Sequence, residues 1–142
     1  MYERIIIPTD GSEPSKEAVR QGLELAKATG AKVLALYVMD TTAFAAIPPD
    51  SLTTDIYSLL NKDAHETVNY VVREGKKLDV YVETKIAEGA PSEQILKNSG
   101  QNDLIVLGTK GRTGLEKILL GSVAENVVHH ASCPVMVVRK RD

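Results

Sequence analysis

Glycines 108, 111 and 121, the last followed by Ser122, stand where main-chain chemistry is most available in this sequence. Gly108, Thr109, Lys110, Gly111, Arg112, Thr113 and Gly114 come directly after the apolar run Leu104-Ile105-Val106-Leu107. Glycine has no Cβ to hold an anion away from the backbone, and a helix N-terminus offers free N–H donors with a partial positive charge. Ser122 with Glu125 three residues on reads as a capping box, which predicts a helix starting just after Gly121. Lys110 and Arg112 add cations to the loop; simple solvation is the other reading of both. The stretch is expected to form an anion cradle. Pro8-Thr9-Asp10-Gly11 ends another apolar run and is expected to meet the cradle. Asp10 or Ser12 can also cap the helix that follows.

Familiar phosphate loops do not account for this pattern. A Walker A loop needs lysine after its last glycine, and here Gly121 leads straight to Ser122. The dinucleotide pattern G-x-G-x-x-G is missing, and the first turn holds only Gly11. No Ser/His/Asp arrangement and no carboxylate pair is spaced for catalysis. His129 and His130 are adjacent, so on a helix they diverge and make poor joint metal ligands; a last-turn dipole role suits them better. His65 reads as a surface residue, and Cys133 as a small apolar residue before Pro134 rather than a redox sensor.

The elements around these residues alternate. Arg4 to Pro8 reads as a buried strand, and a helix carrying Ala18, Val19, Gly22, Leu23, Leu25 and Ala26 follows, stopping at Gly30. Lys32 to Val38 is a second strand, Asp40 to Ser51 a loop, and residues from Ile56 to Leu78 trace one face of a long helix. Val80 to Ile86 alternates as an outer strand, Pro91 opens a short helix, and Leu104 to Leu107 forms an interior strand. Ser122 to Ala131 is the last helix and Pro134 to Val138 the last strand. Strands apolar on both faces require helices on both sides of the sheet. The expected fold is α/β: a doubly wound, mostly parallel five-stranded sheet of Rossmann-like type, with the first strand central. The short strand Val135–Val138, with a charged tail behind it, is expected to pair antiparallel with its copy in a homodimer.

Composition bounds the rest. The chain has 142 residues, 43% hydrophobic and 25% charged, which suits a single domain over residues 1–142. A net charge of −2 gives no field to draw it onto nucleic acid or anionic lipid. One cysteine permits no internal disulfide, and no apolar run is long enough to cross a membrane. The opening Met1-Tyr2-Glu3-Arg4 has no signal-peptide layout, so a cytoplasmic protein is expected.

Gly108, two residues, Gly111, nine residues, Gly121 and then Ser122 reproduce a G-x2-G-x9-G-[ST] signature. With the opening Ile-Pro-Thr-Asp-Gly-Ser, the segment Ala87-Glu88-Gly89 and the ending Ser132-Cys133-Pro134-Val135, the chain resembles the ATP-binding branch of the universal stress protein family over essentially its whole length. The resemblance implies a fold of the adenine nucleotide α-hydrolase-like type. It further implies that Gly108, Gly111, Gly121 and Ser122 hold ribose and phosphates, largely through main-chain N–H groups, with Thr109, Lys110, Arg112 and Val123 beside them among the nucleotide-binding residues. Pro8 and Thr9 would wall the nucleoside, and the backbone at Val38 would read adenine. Asp10 would lie near the nucleoside and any nucleotide-bound Mg or Mn. The expected ligand is ATP, or ADP or AMP, and the expected role is regulation of a protein partner in a stress response, with at most slow hydrolysis. The alternatives are a partner-dependent ATPase or phosphotransferase, a dimeric interaction module without nucleotide, and a phospho-receiver domain with Asp10 as acceptor.

Overall fold

The computed structural model describes residues 2–42, 54–109 and 120–139. The elements are β1 (Arg4–Pro8), α1 (Glu13–Thr29), β2 (Lys32–Asp40), α2 (Thr54–Lys77), β3 (Val82–Gly89), α3 (Pro91–Lys97), β4 (Asp103–Gly108), α4 (Ser122–His130) and β5 (Val135–Val138). They form one five-stranded sheet of order β3-β2-β1-β4-β5. All four neighbouring pairs are parallel, so the sheet is wholly rather than mostly parallel.

Side-chain alternation divides the core into two layers. Ile5 and Ile7 pack with Val19, Leu23, Val68, Val71 and Val106 under α1 and α2. Ile6 faces the other way, among Leu36, Ile95, Ile105, Leu107 and Val127 under α3 and α4. Ile5, Ile6 and Ile7 are all fully buried, which is why the run is apolar without interruption. The connections after β1 and β2 use one face and those after β3 and β4 the other. The winding therefore reverses between β1 and β4.

The helix ends have local causes. Ser12 accepts from the Ser15 N–H and is the N-cap of α1, with a proline in the first turn; Gly30 closes the helix at φ +77°, its N–H on the Ala26 carbonyl at 2.8 Å. The expected capping box at Ser122 does not form. Gly121 is the N-cap of α4, Ser122 is already helical, and no side chain caps the helix. A serine must stay outside the helix to reach back to the third amide, and Ser122 lies inside it.

The third strand begins and ends later than its alternation suggests, at Val82–Gly89 rather than Val80 to Ile86. Residues 78–80 instead turn off α2: the Leu78 and Val80 N–H groups both bond the Gly75 carbonyl, and Asp79 sits at φ 59°. Pairing with β2 then carries the strand on to Asp40↔Gly89. The expected loop from Asp40 to Ser51 is described only through Thr42, where Asp40 Oδ1 accepts from the Thr42 N–H at 3.0 Å. Its remainder lies outside the described residues.

Candidate functional site

In open parallel sheets, ligands bind beyond the carboxyl ends of the strands where the winding reverses. Here the strand pairing marks that point. β1 pairs with β2 as far as Pro8↔Leu36, and the Thr9 N–H continues to the Leu36 carbonyl at 2.9 Å. β4 pairs with β5 as far as Gly108↔Val138, and the Thr109 N–H continues to the Val138 carbonyl at 3.0 Å. Between them, β1 and β4 pair only from Arg4↔Asp103 to Ile6↔Ile105. The two central strands part while their outer neighbours stay paired, leaving a crevice walled by Pro8-Thr9-Asp10 and Gly108-Thr109.

The first wall is a tightly bonded turn. Thr9 is 7% exposed, and its hydroxyl lies 3.1 Å from that of Ser15. Ser15 in turn donates to the Ser12 carbonyl at 2.9 Å, fastening the turn to α1. Asp10 Oδ1 accepts from the Ser12 N–H at 2.9 Å, and Gly11 adopts φ +81°. Of the two capping candidates, Ser12 caps the helix and Asp10 shapes the turn before it. Pro8 and Val38 are half-buried at the ends of β1 and β2.

The second wall joins β4 to α4. The Gly121 N–H donates to the Thr109 carbonyl at 2.7 Å, and the Gly121 carbonyl accepts from Glu125 N–H at 2.9 Å. This bond brings the beginning of α4 beside the end of β4. The amides of Ser122, Val123 and Ala124 belong to the first turn, where no intrahelical acceptor exists and no side chain caps them. Ser122 is exposed and Val123 half-buried. Of the expected site residues, Pro8, Thr9, Asp10, Gly108, Thr109, Gly121, Ser122 and Val123 thus gather around one crevice, with Val38 one strand farther out. Lys110, Gly111 and Arg112 lie outside the described residues.

The surrounding titratable groups narrow the chemistry. No group of three or more His, Cys, Asp or Glu side chains converges as a metal site among the described residues. Asp10 offers a single carboxylate, the donor set of a cation that is otherwise held by phosphates and water. His129 lies 4.0 Å from Glu125, and His130 bonds the Asn126 carbonyl at 3.0 Å, both in the last turn of α4 as expected. His65 is exposed. Cys133 packs half-buried against the α3–α4 layer, where burial, and then the Asp103 carboxylate, pushes its thiol up from the ordinary value.

A separate groove of about 450 Å³ lies between α1 and α2, lined by residues including Lys16, Arg20, Tyr70 and Glu74. Its cations are already engaged: Lys16 with Glu13, Arg20 with Glu17 and Glu24, and Lys77 with Glu74. Those exposed pairs leave little charge to attract a ligand. Ser15 was missed by sequence reasoning as part of the turn; its spacing from Thr9 across a strand-to-helix turn was the available signal.

The chain matches the model of the universal stress protein family over residues 1–139. It is 42% identical to the universal stress protein MJ0531 of Methanocaldococcus jannaschii over 142 residues, which cover 99% of this chain and 84% of that protein. The solved structure of MJ0577 from the same organism superposes with a TM-score of 0.85 at 30% identity, covering 100% of this chain and 99% of that one. A universal stress protein solved in complex with cAMP shares the fold at a TM-score of 0.67 and 23% identity, over 97% of both chains. Sequence and architecture agree, and the chain belongs to the universal stress protein family.

Proposed function

We propose that this chain is an ATP-binding regulatory protein of the stress response, which holds its nucleotide in the crevice between β1 and β4. The observation that carries this reading is the early parting of those two strands at the point where the winding reverses. The first-turn amides of α4 and the amides of the glycine loop bind the phosphates. Gly108, Thr109, Lys110, Gly111, Arg112, Gly121, Ser122 and Val123 supply that half of the site. Pro8 and Thr9 form the nucleoside wall, and the Val38 backbone meets the adenine edge. A slot of aliphatic side chains suits a chain whose aromatic content is 4%. The cAMP complex of the 23%-identical relative supplies a precedent for an adenine nucleotide on this fold.

Asp10 is the residue that would help to hold Mg or Mn brought in with the phosphates. When bound, such an ion neutralises phosphate charge. Hydrolysis is at most slow, because rapid phosphoryl transfer needs a positioned base, metal and charge-stabilising cations together. Asp10 is the sole acidic candidate in the turn after β1, and its Oδ1 is already engaged by the Ser12 amide. The working unit is a cytoplasmic homodimer formed through β5, whose nucleotide state controls a protein partner.

Thermal unfolding with and without ATP tests the binding reading. A ligand specific for the native state at a hundred times its Kd adds about 2.7 kcal/mol. In a chain of this length that raises the midpoint by several degrees. Gly111→Val sets a branched side chain against the phosphates and is expected to abolish the rise. A Gly111→Val protein stabilised by ATP as much as the parent would contradict the assigned loop. Steady phosphate release faster than about 1 per second would make the protein an enzyme instead.

A further inference from the structure

β3 bounds the sheet on the side opposite β5, and its outer edge has no strand beside it among the described residues. The pairing with β2 shows which backbone groups that edge presents. The Val33 N–H donates to the Tyr81 carbonyl at 3.0 Å, and Val33 lies in register with Val82. Backbone groups of successive residues turn to alternate sides of a strand, so Tyr81, Glu83 and Lys85 turn theirs to β2. Val82, Thr84 and Ile86 turn theirs outward. The side chains divide as well. Val82 and Ile86 pack with the α1–α2 layer, Ala87 lies in the opposite one, and Glu83, Thr84 and Lys85 are exposed. Glu83 and Lys85 therefore stand on the same face of the sheet, one on each side of Thr84.

Charge on an edge strand ordinarily blocks pairing. Here the two signs are placed symmetrically about Thr84, which makes the edge complementary to itself. We propose that β3 is a docking edge for a second copy of this chain, the two strands running antiparallel about a two-fold axis at Thr84. In that register Thr84 exchanges both backbone bonds with Thr84 of the other copy, and Val82 exchanges them with Ile86. Glu83 falls opposite Lys85 in a pair without backbone bonds, where Cα atoms stand about 4.5 Å apart and side chains are closest. Lys85 Nζ donates to Asn98 Oδ1 at 2.6 Å within its own chain and keeps its other N–H groups for the carboxylate. A slip of two residues in either direction sets Glu83 against Glu83 or Lys85 against Lys85. A slip of one turns the bonding groups away from the seam. Opposite charge thus selects a single register. So short a contact is marginal alone, and it joins copies transiently, independently of the β5 pairing and of nucleotide. Used together, the opposite edges β3 and β5 link copies side by side into a row.

Disulfide capture tests this on the full chain, with Cys133→Ser removing the native thiol. Across a bonded antiparallel pair the Cα atoms lie about 5.5 Å apart, inside the range a disulfide spans. Thr84→Cys is therefore expected to give a disulfide-linked dimer on a non-reducing denaturing gel after mild oxidation. Tyr81→Cys is the control. At 64% exposure Tyr81 is open to chance collision, yet in the proposed register its counterpart lies about 20 Å away. Linkage through Thr84→Cys is expected to be about tenfold faster or more, because pairing raises the local thiol concentration. Adding Glu83→Lys or Lys85→Glu to Thr84→Cys sets like charges opposite and is expected to bring the rate down to that of Tyr81→Cys. The two changes together reverse both signs and are expected to restore it. The edge side chains replaced are all exposed, so the variants keep the fold. Equal rates for Thr84→Cys and Tyr81→Cys would overturn the proposal. So would single charge changes that leave the rate of Thr84→Cys undiminished, or a double reversal no faster than either single change.

Discussion

Arg4 and Asp103 tie β1 to β4 at the end of the sheet opposite the crevice. Arg4 Nη2 donates to Asp103 Oδ2 at 3.0 Å and to the Asn98 carbonyl at 3.0 Å, and Nε donates to Oδ1 at 3.3 Å. Asp103 Oδ2 also accepts from the Gly100 N–H at 2.8 Å, and the residue is only 6% exposed. Arg4→Ala leaves that buried carboxylate without its cation. Breaking a fully buried pair costs roughly 3–5 kcal/mol, and with the Arg4 side chain 34% exposed the expected loss is nearer 2 kcal/mol. A lower urea midpoint at unchanged slope would show it; an unchanged midpoint would mean the pair contributes nothing. Cys133, beside the same carboxylate, makes a pH prediction. Burial raises its thiol, so the thiolate forms only at higher pH than in a free cysteine. Iodoacetamide should modify it more slowly than glutathione at pH 8, with the rate still climbing above pH 9. Rapid labelling at pH 7 would restore the redox-sensor reading.

At the scale of elements, α2 and β3 meet through one close approach. A Cβ on Gly75 would come within 2.5 Å of Val82 Cγ2 and 3.1 Å of the Val80 carbonyl oxygen. Neither a valine methyl in a packed sheet nor a backbone oxygen can move freely, so Gly75→Ala is expected to destabilise by about 1–3 kcal/mol, less the gain of up to about 1 kcal/mol from alanine's helix preference. Equilibrium denaturation reads the net effect, and a more stable variant would show that the helix end gives way cheaply. These same elements mark what the sequence could reveal. β1 and β4 were legible because both faces are covered, which forces an unbroken apolar run. β3 lies at an edge, and its last residues, Ala87-Glu88-Gly89, are set by pairing with β2 rather than by their own pattern. The helix start at Ser122 was legible, but the cap was not. Whether a serine lies just inside or just outside a helix depends on the preceding loop, and here Gly121 takes that place. The turn and glycine segments of the site could be read from residue type and spacing. The parting of β1 and β4, and the arrival of Val138 beside Gly108, depend on strand order and register between distant segments.

At the scale of the whole molecule, two features remain coupled. β5 is an outer strand with Val135, Met136 and Val137 half-buried, and Val128 of α4 is 44% exposed on the neighbouring layer. Antiparallel pairing of two such edges would cover both and satisfy their free backbone groups. The expected mass in solution is twice 15.4 kDa, and Val137→Lys should shift it toward the monomer by placing a charge at the seam. Light scattering that gives the same monomeric mass for parent and variant would remove the dimer from the account. The central claim is where the nucleotide sits, and amide hydrogen exchange with and without saturating ATP locates it most directly. Slowed exchange at residues 9–11, 109 and 121–124 is predicted, with the α1–α2 groove unaffected. Protection confined to that groove, or none at all in the crevice under saturating ATP, would contradict it.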